Sequence, residues 1–86
     1  MILDGMQQES SREQQKWQEL APLERSILSL EKEDWKYPGA KEAAVRRRLG
    51  LTPIAYYQQL NTMIDNPRII ALEPALTRRL REHRDG

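Results

Sequence analysis

The chain has 86 residues, 38% hydrophobic and 31% charged, with a formal net charge of +1. That length holds one small hydrophobic core, and no second independent domain fits beside it. The absence of Cys excludes disulfides and thiolate metal sites, and a lone His excludes a multi-histidine metal centre.

Apolar runs are only a few residues long, so no membrane span is expected. The start, Met1-Ile2-Leu3-Asp4, has neither the basic lead nor the apolar stretch of a secretory signal. The expectation is therefore a soluble cytoplasmic domain that binds a partner. The near-zero net charge hides an asymmetry. Residues 1–39 hold five basic and eight acidic side chains, net −3, and residues 40–86 hold nine basic and five acidic, net +4. A basic half suggests an anionic partner, nucleic acid first, although a mixed solvated surface has the same composition.

In chain order, residues 1–10 lack periodicity and read as a flexible tail, and residues 11–86 as one helical domain. Ser10 and Glu13 have capping-box spacing, and Trp17 and Leu20 lie three apart, so a first helix is expected near 11–20. Pro22 suits the first position of the next helix. Leu23, Ile27 and Leu30 then form a single stripe, with Leu28 and Trp35 on a neighbouring face. Pro38-Gly39 reads as the end of that helix, and Ala40–Leu49 as the following one.

Gly50 can take the positive φ of a sharp helix exit. Thr52-Pro53 is a cap followed by a helix-opening proline, and Asn66-Pro67 repeats the device for a short segment through Leu72. Pro74 opens the last helix, with Leu76 and Leu80 four apart. No period-two run and no internal repeat is present, so the fold class is all-α, a bundle of four to five helices. Its expected core is Leu23, Ile27, Leu30, Trp35, Val45, Leu49, Leu51, Tyr56, Leu60, Met63, Ile64, Leu72, Leu76 and Leu80.

Residues 41–64 carry the functional signal. Val45 and Leu49 precede Gly50, Leu51 plugs the corner, and Tyr56 and Leu60 hold the second helix. This is helix-turn-helix spacing, in which the second helix enters the DNA major groove. The residue after the first inward aliphatic is usually small. Here it is Arg46, whose stem bends aside or whose bulk widens the helix pair.

The outward face of helix 53–64 then supplies Thr52, Ile54, Tyr57, Gln58 and Asn61 for base contacts. Lys41, Arg46, Arg47, Arg48, Arg78, Arg79, Arg81 and Arg84 are candidates for phosphate contacts. Residues 52–64 contain no Lys or Arg to read guanine, and Ile54 and Tyr57 suit a protein interface equally well. The two expectations are a small DNA-binding regulator on double-stranded DNA, and a protein-interaction module using the same face. A homodimer would favour DNA by doubling a weak contact.

Glu24-Arg25, Ile27-Leu28, Glu31, Trp35-Lys36-Tyr37, Gly39-Ala40-Lys41-Glu42, Leu49-Gly50-Leu51, Tyr56-Tyr57-Gln58, Leu60-Asn61, Ile64-Asp65, Pro67, Pro74 and Arg79-Leu80 together carry a family resemblance. Residues 20–82 resemble a small, mainly actinobacterial family of unknown function, usually described as helix-turn-helix-like. In that pattern Ala21 stands where a capping Thr is common. The resemblance implies a fold and a compartment, and brings no established activity.

The remaining features favour structure over chemistry. Trp35 reads as core more readily than as a binding platform. Glu31, Glu33 and Asp34 read as a charged helix face rather than a metal site. Ser10, Ser11, Ser26 and Ser29 have no histidine at matching spacing, and His83 sits near the chain end. No enzyme activity, cofactor, metal or small-molecule substrate is expected.

Overall fold

Each of the five prolines opens a helix. Proline has no N–H to lose at a first helical position, and its fixed φ is already helical. The computed structural model describes residues 15–85. Its helices are α1 (Pro22–Lys32), α2 (Pro38–Leu49), α3 (Pro53–Met63), α4 (Pro67–Leu72) and α5 (Pro74–Asp85). Residues 15–18 form a further helical turn, and the described residues include no strand. The tail expected at residues 1–10, and the first part of the helix expected near 11–20, lie outside the described residues.

The reading of Pro38-Gly39 as a stop is corrected. α1 already ends at Lys32, and Pro38 is the first residue of α2. What closes α1 is the chain folding back. The Trp35 indole N–H donates to the Leu30 carbonyl at 2.8 Å, joining the longer bond that the Glu33 N–H makes to the same oxygen at 3.3 Å. Trp35 is thus a partly buried side chain against the core, and not a free platform.

Local capping accounts for the other boundaries. The Thr52 hydroxyl accepts from the Ala55 N–H at 3.2 Å, and the Asn66 side-chain Oδ1 accepts from the Arg68 N–H at 3.0 Å. Gly50 has φ +68°, the left-handed exit its position suggests. Open space surrounds it where a Cβ would stand, so a larger residue meets only the backbone cost, about 1–2 kcal/mol.

At α1 the cap is half made. Glu24 accepts from the Ala21 N–H at 3.0 Å, but Ala21 has no oxygen to return the bond. Ala21→Ser should complete it and raise stability by about 1 kcal/mol, read from a urea midpoint at unchanged slope. An unchanged or lower midpoint would show that the added hydroxyl gains nothing there.

α1, α2 and α3 pack against one another, and α4 pairs with α5. The core is Leu20, Ile27, Leu28, Leu30, Ala44, Val45, Tyr56, Leu60, Met63, Ile64, Ile69 and Leu76. Six residues expected there are only partly buried against it: Leu23, Trp35, Leu49, Leu51, Leu72 and Leu80. Five that were not expected there are buried: Leu20, Leu28, Ala44, Ile69 and Thr77.

The reason is the width of the buried arc. α1 packs on both α2 and α3, so Leu28 turns inward beside Ile27 and Leu30. Those three cover about 160° of helix at 100° per residue, far more than a single stripe. Thr77 is accommodated because its hydroxyl has acceptors on its own helix side, Glu73 O at 2.8 Å and Pro74 O at 3.2 Å.

Candidate nucleic-acid interface

α3 is anchored on one side and open on the other. Tyr56, Leu60 and Met63 are buried, while Thr52, Ile54, Tyr57, Gln58 and Asn61 are all exposed. Ile54, Tyr57, Gln58 and Asn61 follow i, i+3, i+4, i+7 and so share one face. Ile54 is 73% exposed and Tyr57 43%, large apolar surfaces for solvent to hold. Thr52 is partly committed, because its oxygen caps α3 and leaves the hydroxyl proton, one lone pair and the methyl for other contacts.

Arg46 is exposed, and the small buried residue of α2 is Ala44, beside Val45. The Arg46 side chain is turned away from the core.

A cluster linking three helices holds α3 in place. Glu31 of α1 accepts from the Tyr56 hydroxyl of α3 and pairs with the Lys41 ammonium of α2 at 2.5 Å. The Glu31 side chain is 4% exposed and that of Lys41 18%. The ammonium also lies 5.7 Å from the ring centres of both Tyr56 and Tyr57, within cation–π range. Burial, then the hydrogen bond and charge of Glu31, push the Tyr56 phenol far above the usual tyrosine range.

One sequence expectation is corrected by this cluster: Glu31 is not part of a solvated acidic face. Lys41, a candidate phosphate contact, is here paired with Glu31. Among the described residues no group of acidic or His side chains is arranged to hold a metal.

The other candidate phosphate contacts divide by what the fold brings near them. Arg48 is engaged bidentately with Glu33, at 2.6 and 3.3 Å, and lies over the Trp35 ring. Arg81 donates to the Ile64 carbonyl at 3.1 Å, tying α5 to the end of α3. Arg84 grips Asp65 at 3.0 and 3.2 Å. That guanidinium holds the Asp65 carboxyl below the usual carboxylate range, against a smaller opposing effect of burial. Arg78 makes only a loose pair with Glu82 on its own helix, at 3.7 Å with both side chains exposed. Arg46, Arg47 and Arg79 are exposed and make no ion pair among the described residues.

Residues 19–86 match the family model described as "Protein of unknown function (DUF3263)". The chain belongs to this family. The matched span contains all five helices and every residue of the candidate face. No curated protein and no solved structure is similar to the chain. For this family member, then, function is argued from the site alone. No helix among the described residues is long and apolar enough to cross a membrane.

Proposed function

We propose that the chain is a small cytoplasmic DNA-binding protein, a transcriptional regulator in which α2, the Gly50 corner and α3 act as a helix-turn-helix. The observation that carries this reading is the exposed face of α3. Amide and apolar side chains, Ile54, Tyr57, Gln58 and Asn61, stand outward from a helix whose opposite side is fixed in the core. A rigid element is what base readout requires, since each contact depends on the orientation of the side chain at a base edge. Arg46, Arg47 and Arg79 supply charge for the phosphates, which position the protein and add affinity without reading sequence.

Gln58→Ala with Asn61→Ala tests the role of this face. Both residues are exposed, so the double variant should keep its stability. In a fluorescence-anisotropy selection it should lose sequence preference while keeping salt-sensitive binding to mixed duplex. Unaltered preference and affinity would remove α3 from the groove.

A second reading has one observation in its favour, the exposure of Ile54 and Tyr57. A protein-interaction module, an adaptor to transcription or division machinery, would bury those two side chains against its partner. It predicts a protein complex that Tyr57→Ala abolishes and that added DNA leaves unchanged.

A further inference from the structure

The side-chain chemistry of α3 also bears on which DNA it would favour. Pro53–Met63 contains no charged residue of either sign. In the major groove a G·C pair is read by Arg or Lys on guanine O6 and N7, or by Asp or Glu accepting from the cytosine amino group. α3 therefore lacks the charged readers for both bases of that pair. An A·T pair is read by Asn or Gln on adenine N6 and N7, and by apolar contact with the thymine methyl. The exposed face of α3 consists of those groups: Gln58 and Asn61 as amides, Ile54 as the apolar contact, and Tyr57 between them.

The cations nearest in sequence leave that pattern unchanged. Arg48 is occupied by Glu33, and Lys41 is drawn inward to Glu31. Arg46 and Arg47 are exposed on α2, and Arg68, beside Glu19 at 3.5 Å, stands on α4, so all three are off the reading helix.

We infer that the α3 face is selective for A·T pairs in the major groove, with adenine facing Gln58 or Asn61 and a thymine methyl facing Ile54. This inference rests on the DNA-binding reading and names its substrate class. A purely electrostatic contact would accept all sequences alike.

The test compares two duplexes of equal length, one of mixed A·T sequence without A-tracts and one of G·C, titrated by anisotropy at low and physiological salt. The A·T duplex should bind about tenfold or more tightly, the discrimination of one good bidentate pair. Replacing thymine by uracil removes the methyl, and replacing adenine by 7-deazaadenine removes N7. Each should erase part of the preference, as should Gln58→Ala with Asn61→Ala.

Salt-sensitive binding that is equal for the two duplexes would overturn the inference and leave the DNA-binding reading standing. A preference that survives both base replacements would also overturn it, by placing recognition in the minor groove, where the methyl and N7 are absent. No binding to either duplex at low salt would overturn the DNA-binding reading and this inference with it.

Discussion

Glu31→Ala is expected to destabilise the fold by about 3–5 kcal/mol, the range for removing one partner of a buried charge pair. The substitution leaves the Lys41 ammonium, 18% exposed, without its carboxylate, and the Tyr56 hydroxyl without its acceptor. In a domain this small the whole stability is of order 5–10 kcal/mol, so the variant should be largely unfolded on mild warming. Chemical denaturation followed by circular dichroism measures it. A loss below about 1 kcal/mol would mean that the cluster does not hold the three helices together.

Tyr56→Phe grades the same network. The ring stays packed and the Glu31–Lys41 pair stays intact, so the cost should be about 1.5–3 kcal/mol, that of a hydrogen bond to a charged group. The wild-type cluster also gives a pH signature. The Tyr56 phenol is raised above its unfolded value, so the folded state holds that proton more tightly. Its contribution is fully present below the ordinary tyrosine range near pH 10. It is lost as pH climbs above that range. An ultraviolet titration should therefore show one tyrosine that ionises only with alkaline unfolding, and Glu31→Ala should weaken that resistance without abolishing it, because burial is its larger cause.

The second expected result concerns the salt dependence of DNA binding. If Arg46, Arg47 and Arg79 are the cations that meet phosphate, log Kd should vary with log salt with a slope near 3 in magnitude. Affinity would then fall about 40-fold between 50 and 200 mM salt. Arg46→Ala with Arg47→Ala should reduce the slope to about 1, with only about a 3–4-fold fall over the same range. The loss should be uniform across sequences, because phosphate contacts carry no sequence information.

A homodimer on two half-sites would roughly double the wild-type slope, so the same titration reports stoichiometry. A slope unchanged in the double variant would move phosphate binding away from α2. Arg48→Ala should behave differently. Its guanidinium is already shared with Glu33 and Trp35, so its removal should affect the α1–α2 connection more than the salt slope.

The helix boundaries were legible in the sequence because their causes are local. Thr52-Pro53, Asn66-Pro67, Pro22 and Pro74 each act within one turn, and Gly50 acts through its own φ. Pro38-Gly39 misled because a proline interrupts the helix before it and opens the helix after it equally well. The two roles differ only in where α1 stops, and a tertiary contact of Trp35 takes part in that closure. The open face of α3 was legible too, since Tyr56, Leu60 and Met63 fix the inward direction and the other positions follow from the helical period.

What only the tertiary structure decided is which charges are engaged. Helix spacing relates residues three or four apart, but Arg48 meets Glu33 across 15 residues, Arg84 meets Asp65 across 19, and Tyr56 meets Glu31 across 25. Nothing in composition separates Arg47 from Arg48, adjacent, identical and both exposed, yet one has no ion pair among the described residues and the other pairs with Glu33 just past the end of α1. The burial of Leu28 has the same origin, because the width of a helix's apolar face depends on how many neighbours pack against it. Sequence determined where four of the five helices start and which way α3 faces, through forces that act within a turn. The arrangement of the helices decided the charge that remains for a partner, because ion pairs form between whichever side chains the packing brings within reach.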